Sequence, residues 1–267
     1  MKIEIDFDSK EILTDEGERI TLYSDEGFAL VKDLWLRVGW NQKYNYTFTW
    51  FGIPIIQLPD DMLRYQEAVF ALQPDVIIET GIAHGGSLVF SASLCRLIGK
   101  GRVIGIDIDV RPHNRARLEA HPLKSLITLI EGSSTAPDIV ARVRQHVHAA
   151  EKVLVVLDSN HSYAHVTAEL AAYAPLVTLG SYIIATDGLM RDLADAPRGD
   201  PTWTRDNPAR AAEDFVTKCN DFVIEEPRWI FNESTLAGNV THWPNAWLKR
   251  VRQAPRDQSN FSIAFGP

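Results

Sequence analysis

The chain has 267 residues, 45% of them hydrophobic and 23% charged, with two cysteines and a formal net charge of −8. That composition excludes a disordered chain, a collagen-like repeat and a disulfide-stapled miniprotein, and it offers no basic stripe for nucleic acid. No apolar run nears the roughly 18 residues of a membrane helix, the acidic opening lacks a signal-peptide core, and Cys95 and Cys219 have no CxxC spacing, so a soluble cytoplasmic protein with reduced thiols is expected.

Residues 1–58 show no clear period and read as an N-terminal extension or cap. Trp35, Trp40, Tyr44, Tyr46, Phe48, Trp50 and Phe51 crowd into 17 positions there, as cap packing or as a substrate-facing wall. Without export, the Asn-x-Ser/Thr triplets at Asn45, Asn232 and Asn239 are chance matches.

From Pro59 the pattern becomes regular, and 59–267 reads as one catalytic domain. Asp60 suits the N-cap of a helix running to about Leu72. Apolar strand-like runs follow at Val76–Glu79, Val103–Asp107, Ile127–Ile130, Val153–Leu157 and Tyr182–Ala185. Helical stretches near 86–98, 112–120, 137–149 and 162–173 separate them, with Thr135 and Asp138 at a capping-box-like spacing around Pro137. Short β-branched strands alternating with helices predict an α/β fold: a Rossmann-like, doubly wound, mostly parallel sheet with helices on both faces. The Pro-, Asp- and Arg-rich stretch 188–208 is long for a connection and reads as a lid. A helix near 209–219 and strands at 222–225 and 246–251 complete the pattern.

The first strand runs into Glu79-Thr-Gly81-Ile-Ala-His-Gly85-Gly86-Ser87. These glycines permit close backbone approach, and the helix start beyond them favours an anion. The spacing is not G-x-G-x-x-G, and Glu79 is unwelcome beside a pyrophosphate. An acid suits a donor carrying an ammonium group, so S-adenosylmethionine is favoured over NAD. Asp107 and Asp109 end the second strand, 21 and 23 residues after Gly86, where an acid can accept ribose hydroxyls; Asp107 is preferred. Glu131-Gly132-Ser133-Ser134 ends the third strand, where an adenine edge would lie.

Asp158 and Asp187 end the fourth and fifth strands. Neighbouring strands lie about 4.8 Å apart, so both carboxylates can reach one hard cation, Mg²⁺ or Mn²⁺. His161, at the following helix start, is a candidate general base. His161, His165 and Glu169 share a helix face, but a linear stripe is a poor zinc site. His165 and Glu169 are expected to orient the helix or to pair with each other, and His84 reads as a turn residue.

These runs, together with Trp50-Phe-Gly-Ile-Pro-Ile, Tyr65-Gln66-Glu67, His84-Gly-Gly-Ser87, Ile104-Gly-Ile-Asp107, Leu157-Asp-Ser-Asn-His161 and Leu248-Lys-Arg250, resemble the cephalosporin hydroxylase / rhamnosyl O-methyltransferase family over residues 48–251. The resemblance implies an S-adenosylmethionine-dependent O-methyltransferase with bound Mg²⁺. Its acceptor would be a small molecule, a sugar or glycoside of a natural product, and the protein would be a homo-oligomer. It implies cofactor contacts at Glu79, Gly81, Gly85, Gly86, Ser87, Asp107 and Ser134, and metal ligation by Asp158 and Asp187. His161 and Asp158 would serve catalysis, with no nucleic-acid or membrane partner. Two departures stand out: Thr186-Asp187 replaces adjacent Glu-Asp, removing one carboxylate, and Trp243-Pro-Asn-Ala-Trp247 occurs where a glycine is more usual. The alternatives are an NAD-dependent oxidoreductase and a non-catalytic S-adenosylmethionine-binding protein.

Overall fold

A computed structural model describes residues 2–252; the remainder of the expected 59–267 domain, 253–267, lies outside the described residues. The chain opens with a three-stranded antiparallel sheet, β1 (Ile3–Asp6), β2 (Glu11–Thr14) and β3 (Arg19–Thr21). Helix α1 (Asp25–Asn41) follows, N-capped by the Ser24 side chain, which accepts from the Gly27 amide. The sequence pattern did not disclose α1, because its apolar residues lie on two faces. Leu36 packs inward while Phe28, Val31, Trp35 and Val38 face solvent, and two stripes blur the single period of an amphipathic helix. A hairpin of β4 (Phe48–Trp50) and β5 (Ile53–Ile55) leads into the regular region.

That region runs α2 (Pro59–Leu72), β6 (Val76–Thr80), α3 (Gly86–Ile98), β7 (Arg102–Asp107), α4 (Pro112–Glu119), β8 (Ile127–Glu131), α5 (Pro137–Gln145), β9 (Val153–Leu157), α6 (Tyr163–Tyr173) and β10 (Tyr182–Ala185). Then come α7 (Pro208–Lys218), β11 (Phe222–Ile224) and β12 (Trp247–Arg250). Two expected caps are corrected. Leu58, not Asp60, is the N-cap residue of α2, with Pro59 in its first turn, and Ala136, not Thr135, occupies that place in α5. In each case proline takes the first helical position, and the residue before it becomes the cap.

The seven-stranded sheet has the order β11-β12-β10-β9-β6-β7-β8, parallel from β10 through β8, with β12 antiparallel to both neighbours. This is the expected doubly wound α/β fold. Strand alternation divides the core: Ile77, Leu154 and Val156 pack under α2 and α3, whereas Val76, Ile78, Val153 and Val155 pack under α5, α6 and α7. The order reverses between β6 and β9, so the crevice beyond their carboxyl ends is the topological switch point, where ligands bind in such sheets.

The hairpin is not detached from this core: Ile53 and Ile55 are buried in the α2/α3 layer. The expected lid, 188–208, is folded into two 3₁₀ turns, Gly188–Leu193 and Pro201–Thr204. Leu189 and Leu193 pack with Leu36 of α1 and with Leu58. Arg37 donates to the Asp192 carbonyl at 2.5 Å and to Asp195 at 2.6 Å, and Arg198 donates to the Trp40 carbonyl at 3.1 Å. Trp203 stands edge-on to Trp40.

Candidate active site

The loop after β6 is shaped by two backbone approaches. Gly81 has φ +87, and a Cβ there would overlap the Asp158 carbonyl; a Cβ at Gly86 would overlap the Pro54 carbonyl. Glycine at these points lets the two strand ends and the hairpin converge. The first turn of α3 then opens into a cavity of ≈ 240 Å³. Gly81, Gly85, Gly86, Ser87, Asp107, Asp158, His161 and Asp187 line it, with His84, Gln57, Tyr46 and Ile56.

Asp107, ending β7, accepts from the Ile82 and Ala83 amides at 2.7 and 3.2 Å and from the Asp109 amide at 3.0 Å. It thus braces the glycine loop while facing the cavity. Asp109 is exposed and is not among the lining residues.

Two predicted cofactor residues are placed elsewhere. Alternation along β6 turns Glu79 toward the α2/α3 layer, where it is buried, accepts a hydrogen bond from the Ser87 hydroxyl and lines a separate small cavity with Gln57, Tyr65, Ser91 and Trp243. Burial there pushes its carboxyl up to about 8. Ser134 is also buried, its Oγ 3.2 Å from His165 Nε2, and it does not line the main cavity. The His165 and Glu169 pair forms as expected at 3.4 Å, with Ser159 donating to Glu169 at 2.7 Å. Glu169 raises the pKa of His165 through this contact.

The ends of β9 and β10 are neighbours, and they bring three ligand-bearing side chains together. One ligand atom each from Asp158, His161 and Asp187 lies within 4.8 Å of the others. His161 Nε2 stands 3.5 Å from Asp187 Oδ2. Asp187 itself adopts φ +60, a left-handed conformation that costs a non-glycine residue about 1 kcal/mol and that recurs at functional positions. Asp158 accepts from Gln57 Nε2 at 3.0 Å and from the Thr186 hydroxyl. Burial first, then the negative charge of Asp187, raises its pKa to about 7. Two facing acids with only the His161 imidazole beside them are an environment that a divalent cation relieves. Thr186 is fully buried and its backbone amide donates to the Leu157 carbonyl at 3.1 Å, so it anchors β10 to β9.

The sequence reading missed Gln57 and Asp61. Gln57 lies 101 residues from the Asp158 it holds, in a stretch with no periodic signal. Asp61, buried in the first turn of α2, accepts from the Thr241 hydroxyl and, at 2.9 Å, from the His242 amide. Its burial pushes its carboxyl up to about 8. Only its position beside a first-turn acid, Asp60, was visible in sequence. Of the aromatic cluster, Tyr46 alone lines the cavity, while Trp35, Tyr44, Phe48 and Trp50 pack edge-on against one another or against Phe90.

The family model for rhamnosyl O-methyltransferase/CmcI matches residues 42–251. The rhamnosyl O-methyltransferase of Mycobacterium leprae is 34% identical over 154 residues, which cover 57% of this chain and 65% of that protein. Its namesake from Mycobacterium bovis is 35% identical over 142 residues, covering 52% and 56%. The aligned part of this chain thus spans between about half and two thirds of the length of these relatives. A solved apo structure of CmcI superposes with a TM-score of 0.55 at 21% identity, covering 78% of each chain. A CmcI structure with Mg and SAM gives 0.50 at 18% identity, again covering 78% of each. These structures share the fold of the seven-stranded sheet. With a family model matched across most of its length, this chain belongs to the rhamnosyl O-methyltransferase/CmcI family.

Proposed function

We propose that the protein is an S-adenosylmethionine-dependent O-methyltransferase, assisted by Mg²⁺ (or Mn²⁺), that methylates a hydroxyl of a sugar on a small natural-product glycoside. The observation that carries the reading is the Asp158, His161 and Asp187 cluster, which opens into the same cavity as the glycine loop. The names of the relatives, rhamnosyl O-methyltransferases, support the sugar acceptor.

The residues fit both groups. Gly81, Gly85 and Gly86 line the cavity where the donor would lie, and Asp107 Oδ1, which accepts one amide, keeps a lone pair for a ribose hydroxyl. Asp158 and Asp187 are hard oxygen ligands suited to Mg²⁺. When bound, S-adenosylmethionine supplies an electrophilic methyl group and the cation supplies a positive charge that acidifies a nearby hydroxyl.

This chain's own residues do the rest. His161 takes the proton from the acceptor hydroxyl at Nε2, and Asp187, 3.5 Å away, stabilises the resulting imidazolium. Gln57 and Thr186 orient the Asp158 carboxylate from both sides. Glu79 acts through Ser87, fixing the start of α3 from beneath the loop. Tyr46, Pro54 and Ile56 form an apolar wall that positions the acceptor and excludes water. Segment 188–208 serves as a cover held shut against α1, and the extension 1–58 as the scaffold that holds it.

Calorimetric titration with S-adenosylhomocysteine, with NAD⁺ in parallel, tests the donor class. Micromolar binding of the former alone is expected. Binding of NAD⁺ alone, or of neither, overturns the reading. Asp158→Asn is expected to keep S-adenosylhomocysteine binding and to lose Mg²⁺-dependent methylation of a rhamnoside by about 100-fold or more. Full activity of that variant in chelator would remove the metal from the mechanism.

A further inference from the structure

Trp243, in the tail that departs from the family pattern, is buried, and its indole Nε1–H has no hydrogen-bond partner among the described residues. Native proteins pair nearly all such groups, with protein atoms or with ordered water. The ring lines the small cavity of ≈ 20 Å³ under the glycine loop, with Gln57, Tyr65, Glu79, Ser87 and Ser91. One water needs about 10–15 Å³ and two to four polar partners, so this volume admits one water and no organic ligand. A bare cation of that size would face the positive end of the indole N–H, which argues against an ion.

The polar groups of the wall match what a water requires. Tyr65 and Ser91 are engaged with each other at 2.9 Å, and the Ser87 hydroxyl donates to Glu79. Glu79 keeps lone pairs beyond the one that Ser87 takes. Gln57 lines both cavities, and it is the nitrogen end of its amide that donates to Asp158, at 3.0 Å. Its carbonyl oxygen is an acceptor at the other end of the same amide. One N–H donor and two acceptor groups suit a water that accepts from the first and donates to the others.

We propose that the small cavity is a binding site for one ordered water, which joins Trp243 to Glu79 and Gln57 and, through Gln57, steadies the Asp158 carboxylate. Trp243 is then a positioning residue that acts from beneath the site. The water ties together β6, the stretch between β5 and α2, and the stretch between β11 and β12. Its effect on turnover rests on the function proposed for Asp158, whereas the water itself and the placing of Gln57 do not.

A high-resolution crystal structure of the full chain without ligand tests the site. An oxygen-sized peak is expected about 3 Å from Trp243 Nε1. Trp243→Phe removes the donor and keeps an aromatic ring. In its crystal structure the peak is expected to be lost and the Gln57 amide to leave Asp158. In methylation of a rhamnoside, the same variant is expected to lower kcat about 10-fold at an unchanged KM for S-adenosylmethionine. Glu79→Gln, which retains an acceptor at the same place, is expected to keep the water and the Gln57 contact. A wild-type cavity without the peak, or another side chain on Trp243 Nε1, overturns the water site. A Gln57 amide that stays on Asp158 in Trp243→Phe, or an unchanged kcat, overturns the positioning role. A wild-type chain that methylates no rhamnoside overturns the proposed function instead, and the two crystal structures then decide the inference.

Discussion

Gly81 lies where three constraints meet: a positive φ, the end of β6, and the Asp158 backbone from β9. An alanine there is strained in φ and also drives the two strand ends apart. Gly81→Ala is expected to destabilise the fold by about 2–4 kcal/mol and to abolish ligand binding in the cavity, read by urea unfolding and calorimetry. Asp61 permits a prediction in pH. Its folded pKa, about 8, lies above the ordinary carboxylate value because burial disfavours the charge. A group raised in this way contributes stability that is full below its unfolded pKa and is lost as pH rises through its folded pKa. The wild-type protein should therefore lose stability between about pH 4 and pH 8. Asp61→Asn keeps the shape without a charge, its Oδ1 able to accept from the His242 amide and its Nδ2 to donate to the Thr241 hydroxyl oxygen. It is expected to match or fall slightly below wild type at pH 5 and to exceed it at pH 9 by about 4 kcal/mol, measured by thermal unfolding at each pH. A variant that is less stable than wild type at pH 9 would contradict the assignment.

At the scale of elements, each strand end delivers its side chain to the crevice because parallel strands present their carboxyl ends on one edge. β6 delivers the glycine loop, β7 Asp107, β9 Asp158, and β10 Asp187. Helix α7 holds the far side of segment 188–208. Its cap, Asn207, is fully buried, accepts from the Arg210 amide at 2.9 Å and donates to the Trp203 carbonyl at 2.7 Å. Asn207→Ala removes both bonds and leaves two partly buried backbone groups unpaired. A loss of about 2 kcal/mol is expected in denaturant unfolding. Retention of full stability would mean that the cap is replaced by water.

For the whole molecule, the seam between α1 and segment 188–193 joins the N-terminal part to the edge of the site. Leu36 is buried there against Leu58, Leu189 and Leu193. Leu36→Ala is expected to cost about 2–4 kcal/mol and to expose 188–208 to proteolysis before the sheet unfolds. Simultaneous loss of both in one transition would show that the seam and the sheet form one cooperative unit.

The sheet and its strand-terminal acids were legible in sequence because they rest on local pattern. A buried parallel strand is a short β-branched run, a glycine turn follows it, and a carboxylate at its end faces the crevice whatever the rest of the chain does. Asp107, Asp158, Asp187 and His161, read in this way, all line the main cavity. Which face a penultimate strand residue takes depends on what packs there, so the pattern does not disclose that Glu79 turns into the α2/α3 layer, nor that Ser134, in the loop after β8, is buried beside His165. Helix α1 escaped because burial on one side and an apolar stripe on the other leave no period to read. Gln57 on Asp158, Thr241 and His242 on Asp61, and Leu36 on Leu193 join residues more than a hundred positions apart. Such contacts arise when the chain folds back on itself, and only the tertiary structure decides them.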